Sequence, residues 1–559
     1  MMSRFRIHWG TRLPMLLSVL LCVLLCSASC GENASAATGE GARGGIAIAS
    51  GAQVDGALEV TGDDFEAVQQ RSAEQRAAAQ RSPLSGHWTE PLRAIVGRWF
   101  SKANQVTKGK ANGGNIGFGL QVVDLETGII LAAIGADRPR RPASNLKLVT
   151  TAAALVLFGT EADFLTSCEA NGEVVDGRLG GDLILRASGD PIVNRDSDPR
   201  VEDRFLRAAR EVRESGVRVI AGDLVLDEGT FQTPAPGPAW PDPSQHWQEY
   251  CALSGGFSVN GGVMIATVSP TQVGKAARVD LHPVPHGLRS IIRPMTIRKG
   301  SLTIGAEARQ GRVLVQGNIA MGTKPFGAEF SHEDPVLHFG TIFAWALGQE
   351  GVTLEGSIVR ERNTPIGKRI AAIRSSVAAT LYPINAESRN GVADQLFLAM
   401  GHAVGQGGTR SGGQEATRSA LEQLGVSVEG LHQVDGSGLS FDNAIAPAQV
   451  TGLLAGAMRL GPEARECFLD SLAVAGSIGT LESRMRGTSA VGRVMGKSGW
   501  IRGTSALSGI IRTLDGRELA FSFLIEYPPA VQGLNRSVLK PMMDELCVYL
   551  VEANFTKLR

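Results

Sequence analysis

The chain of 559 residues is too long for a single hydrophobic core, so two or three domains are expected. Hydrophobic residues make up 43% and charged residues 20%, which are the proportions of an ordinary soluble globular protein. The 55 basic residues balance the 55 acidic ones, so no overall charge attracts nucleic acid or an anionic membrane surface, and no nucleic-acid partner is predicted.

Residues 1–36 have the order of a secretory signal peptide. Arginines precede a nearly pure apolar run over residues 13–26, and small residues follow as far as Ala37. This run is shorter than the roughly 20 residues that a membrane span needs. Cleavage after Ala36 is predicted, and lipid attachment at Cys30 is the alternative. The protein is expected to be exported to the periplasm or cell envelope, with the membrane reached only through this N-terminus.

Four cysteines follow the signal, at Cys168, Cys251, Cys467 and Cys547. They are far apart in sequence and form no CxxC pair of the metal-binding or redox type. Export permits disulfides, and four cysteines allow three pairings. Four buried free thiols are the other interpretation. No metal site and no cofactor are predicted.

Residues 37–82 are rich in small and polar residues and indicate a low-complexity tether. Folded sequence is predicted from residue 83. The patterns at 116–123 and 129–133 indicate two strands joined by a turn. A helix is predicted from near Ala143 to Phe158, and because it is apolar nearly all round it should be buried.

Residues 166–364 are dominated by strand patterns and are predicted to be an inserted β-rich unit. The clearest strand patterns in this part lie at 183–185, 217–226, 278–281, 302–304 and 313–317.

The last part of the chain returns to mixed helix and strand. Helical spacing occurs at 378–381 and 392–404, a strand pattern at 491–497, and a closing amphipathic helix at 540–551. Strand patterns at 506–512 and 518–525 flank Asp515-Gly516, which predicts a hairpin. Residues 83–165 and 365–559 are therefore predicted to form one domain, whose sheet is assembled from both ends of the folded chain.

Ser144 lies at the start of the buried helix, and Lys147 follows on the same helix face. A serine hydroxyl needs a nearby base to act as a nucleophile, and lysine can serve when burial and a neighbouring cation leave it neutral. The positive end of the helix dipole favours the oxyanion of acyl transfer. Spacing alone is weak evidence, because Ser537 and Lys540 have the same spacing and are interpreted as a simple helix start.

Two further motifs follow in chain order. Ser388–Asn390 supplies a hydroxyl and an amide just before a helix, and Lys497–Gly499 supplies an ammonium and a hydroxyl on a strand. Together with Ser144 they match the motif trio of β-lactamases and penicillin-binding proteins. Ser258–Asn260 has the same Ser-x-Asn spacing but lies in the β-rich insertion, so Ser388 is preferred.

From about residue 84 to its end, the chain resembles the class C low-molecular-mass penicillin-binding proteins, the D-alanyl-D-alanine carboxypeptidase/endopeptidase family. Beyond the trio, the resemblance rests on Asp435–Ser440 with Asn443, Gly479–Leu481 with Met485, Gly487 and Thr488, Gly503–Gly509, and Gly222–Leu224 with Asp227 and Phe231. It implies an α/β (α+β) fold with a transpeptidase/β-lactamase-like core, in which helices flank an antiparallel sheet and the insertion lies between the first and second motifs.

The resemblance also implies the chemistry. By position, Ser144 would attack the carbonyl between two D-alanines of a peptidoglycan stem peptide or cross-link and form an acyl-enzyme, while Lys147 takes its proton. Ser388 would relay a proton to the leaving amine, and Asn390 would hold the substrate amide. β-Lactams would inhibit by acylating the same serine.

The third motif would form the rest of the pocket. Lys497 and Ser498 would bind the terminal carboxylate beside Gly499, and the backbone N–H groups of Ser144 and Trp500 would form the oxyanion hole. Trp500 replaces a small hydroxyl residue that is common at this position in the family. We therefore hypothesise that Trp500 or Arg502 reshapes the pocket toward cross-linked substrates.

Two departures leave the motifs usable. Ser498 stands in place of the usual Thr but keeps a hydroxyl, and Arg389 occupies a variable position that often carries Asp.

A non-catalytic peptidoglycan-binding protein on the same fold remains the alternative. A serine β-lactamase is a further one, but it would need a second base for fast deacylation, and the sequence identifies none.

Overall fold

The computed structural model describes residues 86–193, 200–284 and 286–555. The predicted signal peptide (1–36), the alternative lipid site at Cys30 and the predicted tether (37–82) lie outside these residues.

Helices and strands are numbered here in chain order. The α-helices of the described residues are α1 (Thr89–Val106), α2 (Leu146–Phe158), α3 (Glu202–Glu214), α4 (Pro335–Gln349), α5 (Leu381–Asn385), α6 (Asn390–Ala403), α7 (Arg410–Gln423), α8 (Pro447–Ala457), α9 (Pro462–Asp470) and α10 (Lys540–Glu552). The strands are β1 (Gly117–Asp124), β2 (Ile130–Ile134), β3 (Asp163–Asn171), β4 (Val174–Val175), β5 (Arg178–Leu179), β6 (Asp182–Arg186), β7 (Val219–Ile220), β8 (Leu224–Asp227), β9 (Val263–Ser269), β10 (Arg278–His282), β11 (Arg289–Ile292), β12 (Met295–Ile297), β13 (Gly305–Arg309), β14 (Arg312–Gln316), β15 (Asn318–Ala320), β16 (Phe326–Ser331), β17 (Thr353–Leu354), β18 (Ile358–Glu361), β19 (Lys368–Ser376), β20 (Ala473–Val474), β21 (Val494–Ile501), β22 (Thr504–Arg512) and β23 (Glu518–Glu526).

The main sheet is antiparallel and has the strand order β2-β1-β23-β22-β21-β20. Its centre joins distant parts of the chain, because β1 pairs with β23 from Gly117 opposite Glu526 to Asp124 opposite Leu519. The β22–β23 hairpin turns at Asp515-Gly516, where Gly516 takes a positive φ of 88° that glycine adopts without strain. The predictions of a hairpin here and of a sheet assembled from both ends of the folded chain are confirmed.

Both faces of this sheet are covered by helices, since side chains alternate between the two faces of a strand. Leu507, Phe521 and Phe523 belong to the core beneath α1 and α10. Ala506 and Leu524 belong to the opposite core, which includes apolar side chains of α2 and α8. Helix α2 is buried along nearly its whole length, as its apolar sequence predicts.

The region from β3 to β19 forms its own sheets. A five-stranded sheet has the order β18-β8-β6-β3-β19, and its core contains residues of α3 and α4. Smaller sheets are formed by β17-β7-β5-β4, β10-β9-β16, β11-β14-β13 and β12-β15. Because β3 begins at Asp163 and β19 ends at Ser376, the five-stranded sheet reaches past both 166 and 364. The domain limits given above stay a prediction.

Two predicted strands of this region differ in the structure. The strand predicted at 217–226 is split into β7 and β8, because the chain turns at Gly222, where a Cβ atom would lie 2.3 Å from Asp182 Oδ1. The strand predicted at 302–304 is a loop, and β13 begins only at Gly305. Thr303 Oγ1 accepts a hydrogen bond from the Asn318 backbone N–H at 2.9 Å, so a side chain takes one of the contacts that a strand partner would make.

The four cysteines of the described residues are free thiols, with Cys168, Cys251 and Cys547 buried and Cys467 half-buried. Within the described ranges no helix is both long and apolar enough to cross a membrane.

Candidate active site

Ser144 lies in a 3-10 turn, Ala143–Asn145, that leads directly into α2. Ala143 has a φ of 47°, which is unusual for a residue with a side chain. The turn fits closely against its neighbours: a Cβ atom at Gly438 would lie 1.9 Å from the Ala143 carbonyl oxygen, and one at Gly499 would lie 2.8 Å from that of Pro142. Asn145 Nδ2 donates to the Lys497 carbonyl oxygen at 2.7 Å and so fixes the turn to β21.

Lys147 is fully buried directly beneath Ser144. Its Nζ lies 3.1 Å from Ser144 Oγ, 2.6 Å from Asn390 Oδ1 and 2.7 Å from the Ser437 carbonyl oxygen. Burial lowers the pKa of Lys147 to about 8, although the carboxylates of Asp394 and Asp435 oppose this shift. Lys147 therefore has an appreciable neutral fraction near neutral pH, and its lone pair lies within reach of the serine proton.

Asn390 is the first residue of α6, and Ser388 lies in the loop before it. Ser388 has a φ of 68°, a strained conformation for a serine. Gly479 supports this loop, because a Cβ atom there would lie 2.4 Å from the Ala386 carbonyl oxygen, and the next residue, Thr480, donates its N–H to that oxygen at 3.0 Å. The Gly479–Leu481 segment singled out in the sequence thus supports the loop that carries Ser388.

Lys497 and Trp500 both lie on β21 but differ in exposure. Lys497 is fully buried, and its Nζ donates to the Ser498 carbonyl oxygen at 2.9 Å. Burial, and secondarily the charge of Lys147, place the pKa of Lys497 well below its usual value. Trp500 is 58% exposed, and its Nε1 donates to the Tyr527 hydroxyl at 3.1 Å. The side chain that replaces a small hydroxyl residue is therefore held at the surface of the site.

One cavity of about 170 Å³ joins the three motifs. Its lining comprises Ser144, Ser388, Arg484, Ser498, Gly499, Trp500, Ser505, Ala506, Lys540 and Met543. Lys147, Asn390 and Lys497 are the motif residues outside this lining, and Lys147 links Asn390 to Ser144. The alternative Ser258–Asn260 motif does not line this cavity, and Asn260 Nδ2 donates to the Val263 carbonyl oxygen at 2.9 Å.

Three groups outside the three motifs support the site. One of them, Ser437, belongs to the Asp435–Ser440 segment already singled out in the sequence, whereas Tyr250 and Asp394 were not singled out. The Ser437 carbonyl oxygen is held in place by Asp435, whose carboxylate accepts the backbone N–H groups of Gly438 and Ser440 at 2.8 Å. The Tyr250 carbonyl oxygen, from the β-rich region, accepts from Asn390 Nδ2 at 2.9 Å. The third is Asp394.

Asp394 lies one helical turn after Asn390 on α6, a spacing that the sequence could have shown. It is 7% exposed, and its Oδ1 accepts the Gly436 N–H at 2.9 Å. Burial, and then the nearby Asp435 carboxylate, raise the pKa of Asp394 to about 7. The buried acid Asp394 and the buried base Lys147 thus interact electrostatically and have neighbouring pKa values, of about 7 and about 8.

Comparison with known proteins agrees with this geometry. A family model described as the D-Ala-D-Ala carboxypeptidase 3 (S13) family matches residues 103–546. The chain belongs to this family.

Among curated relatives, the D-alanyl-D-alanine carboxypeptidase of Actinomadura sp. (strain R39) is 34% identical over 426 residues, which cover 73% of this chain and 77% of that protein. The D-alanyl-D-alanine carboxypeptidase DacB of Haemophilus influenzae is 24% identical over 439 residues, 75% of this chain and 86% of that protein. The crystal structure of penicillin binding protein 4 (dacB) from Haemophilus influenzae has a TM-score of 0.66 at 22% identity and covers 81% of this chain and 99% of that one. A second structure of it, complexed with a novel β-lactam, has a TM-score of 0.62 at 21% identity.

Membership in the S13 family confirms the predicted family, the transpeptidase/β-lactamase-like fold class and the serine carboxypeptidase/endopeptidase function. The individual roles of Ser144, Lys147, Ser388, Asn390 and the Lys497–Gly499 motif remain predictions.

We expect Asp394→Asn to move the acid limb of the acylation rate to lower pH. The carboxylate of Asp394 stabilises the Lys147 ammonium, so its removal lowers the pKa of Lys147 further below about 8, and the neutral base persists at lower pH. A shift of about one pH unit corresponds to about 1.4 kcal/mol. The measurement is the rate of acylation by benzylpenicillin between pH 5.5 and 10. Asp442→Asn, which changes an exposed carboxylate of the 435–443 segment, is the matched control. An unchanged or more alkaline limb in Asp394→Asn contradicts the expectation.

Proposed function

We propose that this enzyme hydrolyses D-alanyl-D-alanine stem peptides and cross-links of peptidoglycan through an acyl-enzyme on Ser144, with Lys147 as the general base. The observation that supports this most is the position of Lys147, fully buried and 3.1 Å from Ser144 Oγ. A serine that merely caps a helix needs no buried lysine, and burying an ammonium is costly unless it is paired and hydrogen-bonded or loses its proton. Perturbed buried bases beside a nucleophile are typical of active sites.

In the proposed reaction, the side chains that line the cavity and those directly beneath it act one after another. Neutral Lys147 accepts the proton of Ser144 Oγ as that oxygen attacks the carbonyl carbon, and the backbone N–H groups of Ser144 and Trp500 stabilise the oxyanion. The C–N bond then breaks, and Ser388 relays the proton from Lys147 to the leaving amine while Asn390 holds the acyl amide. Water attacks the ester as Lys147, neutral again, accepts its proton; Lys147 returns this proton to Ser144 Oγ as the ester C–O bond breaks and the shortened peptide leaves.

The direct contact of Lys497 with the terminal carboxylate stays a prediction from the sequence. The Nζ of Lys497 is fully buried and donates to the Ser498 carbonyl oxygen at 2.9 Å. We propose that Lys497 positions the Ser498 backbone at the cavity from below. Ser498 and Gly499 line the cavity and remain the proposed contacts to substrate.

β-Lactams are the proposed inhibitors, since their strained amide can acylate Ser144 as the peptide does, and the related Haemophilus influenzae protein has been solved with one bound. We propose that the enzyme acts outside the cytoplasm on peptidoglycan. Cleavage after Ala36, or alternatively a lipid anchor at Cys30, would determine whether it is membrane-attached.

The test is carried out on the native protein. Incubation with a tripeptide that ends in D-Ala-D-Ala should release D-alanine, and incubation with benzylpenicillin should add one penicilloyl group, located by peptide mapping on the fragment that contains Ser144. A folded protein that does neither would be the non-catalytic peptidoglycan-binding protein instead. Rapid release of penicilloic acid, without a stable adduct, would indicate a serine β-lactamase.

Trp500→Thr is expected to change substrate preference. Trp500 occupies the cavity wall with an exposed indole where the family commonly has a small hydroxyl residue, so the change should raise carboxypeptidase turnover of monomeric peptides relative to endopeptidase turnover of cross-linked dimers by roughly 3- to 10-fold. The measurement is the ratio of kcat/KM for the two substrates, with Trp247→Thr as a control at another exposed tryptophan. An unchanged ratio removes the hypothesis for Trp500.

A further inference from the structure

Two cationic side chains line the catalytic cavity without belonging to any of the three motifs. Arg484 lies in the segment after the Gly479–Leu481 turn, and Lys540 is the first residue of α10. Both line the same cavity as Ser144 and Ser498. Positive charge therefore adjoins the nucleophile on a wall that is built from the C-terminal part of the chain.

Arg484 is held rigidly and has one donor left over. Its Nε donates to Asp544 Oδ1 at 2.8 Å, its Nη2 lies 2.6 Å from the same oxygen, and Nη2 also donates to the Lys540 carbonyl oxygen at 3.3 Å. The residue is 8% exposed, and Nη1 makes no hydrogen bond within the described residues. Because a buried charged donor without a partner is unfavourable, an anion that pairs with the guanidinium from the cavity is bound favourably.

The charges around Arg484 leave a positive surplus. Arg484 and Lys540 carry two positive charges, and the Asp544 carboxylate compensates one of them. Burial, and then the charge of Arg484, lower the pKa of Lys540, while Asp544 raises it, so the two cations repel and the carboxylate offsets part of this repulsion. An incoming anion relieves this repulsion and meets a planar guanidinium, the side chain best suited to binding carboxylates.

The third motif provides no free cation for this purpose. Lys497 is fully buried with its Nζ on the Ser498 carbonyl oxygen, and Trp500 presents an indole where a hydroxyl is common. The remaining motif group that could hold a carboxylate at this wall is the Ser498 hydroxyl, which is neutral. A negatively charged leaving group therefore needs another partner.

We propose that the side chains of Arg484 and Lys540 form an anion subsite that binds the carboxylate of the leaving group, on the carbon next to the scissile nitrogen. This inference rests on the proposed function of Ser144. The same chemistry has two sources: the terminal carboxylate of a leaving D-alanine, and the carboxylate on the carbon that bears the cross-linking amine, in cross-links that have one there. Arg484 and Lys540 would then determine specificity rather than perform a chemical step.

The test compares each substrate as a free acid with its amide at this carboxylate. Native enzyme should have a higher kcat/KM for the acid of a tripeptide that ends in D-Ala-D-Ala. Lys540→Gln should reduce the acid-to-amide ratio about tenfold, equivalent to about 1.4 kcal/mol, chiefly through KM. Arg484→Lys should reduce it similarly, because it keeps the charge but loses the fixed Nη1 donor. Arg486→Gln is the control, since Arg486 is exposed and paired with Glu482 at 3.1 Å.

The outcomes separate the inference from the proposed function. If native enzyme releases D-alanine from both forms but the ratio is unchanged in Lys540→Gln and Arg484→Lys, the subsite is overturned while the proposed function stands. An equal loss for acid and amide likewise overturns it, because that indicates only a structural role. A native enzyme that hydrolyses neither form contradicts the proposed function itself. A cross-linked dimer is also tested with the carboxylate of its leaving group free or amidated. Comparison with the monomeric peptide shows whether the subsite binds the leaving group of cross-links, of monomers, or of both.

Discussion

Ser144→Ala is expected to lower D-alanine release by about 10⁴- to 10⁶-fold, because loss of a catalytic serine removes the covalent route entirely. The penicilloyl adduct should disappear at the same time. The protein should still fold, since the change removes only one oxygen atom from a residue at the cavity wall. The measurements are D-alanine release and intact mass after benzylpenicillin, with thermal unfolding as a check of the fold.

The chain provides a matched control in Ser537→Ala. Ser537 and Lys540 have the same Ser-x-x-Lys spacing, but Ser537 Oγ is exposed and donates to the Gly533 carbonyl oxygen at 2.9 Å. Its removal should leave activity and the adduct unchanged. A penicilloyl group that persists in Ser144→Ala would place the nucleophile elsewhere and contradict the proposal.

Lys147→Met is expected to slow acylation by about 10²- to 10⁴-fold, the usual contribution of a general base. Methionine has a similar length but cannot accept the serine proton. It also leaves Asn390 Oδ1 and the Ser437 carbonyl oxygen without their donor, so a stability loss of about 1–3 kcal/mol is expected for each buried acceptor left unpaired. Acylation rates and thermal unfolding should be measured together, so that the two effects can be separated.

Lys147→Arg separates the loss of the base from the loss of the buried hydrogen-bond donor. Arginine donates hydrogen bonds as lysine does but cannot be deprotonated in a protein, so it should remain as slow as methionine. In native enzyme the rate should fall as pH decreases through the pKa of Lys147, which is about 8, because protonation removes the base. This acid limb should be absent from both variants. A Lys147→Arg enzyme with native rates would mean that another group is the base.

Local sequence determined the parts of this protein that depend on short spacing. Ser144 and Lys147 lie three residues apart, and the helix that carries Lys147 is buried because its sequence is apolar nearly all round. The hairpin at Asp515-Gly516 follows from turn residues between two strand patterns. The three motifs in order, together with segments such as Asp435–Ser440 and Gly479–Leu481, indicated the family, and the family match confirms it.

The tertiary structure decided what depends on residues far apart in the chain. Sequence alone preferred Ser388–Asn390 over Ser258–Asn260 only by its place in the chain, and the fold placed Asn390 against Lys147. Whether Lys497 faces substrate or the core depends on the layers around β21, so its full burial could not be read from its motif. Arg484 and Lys540 belong to no motif, and only the packing of α10 beside the sheet brings them to the cavity of Ser144. A local pattern specifies which face of an element is buried, but long-range packing determines which side chains meet there.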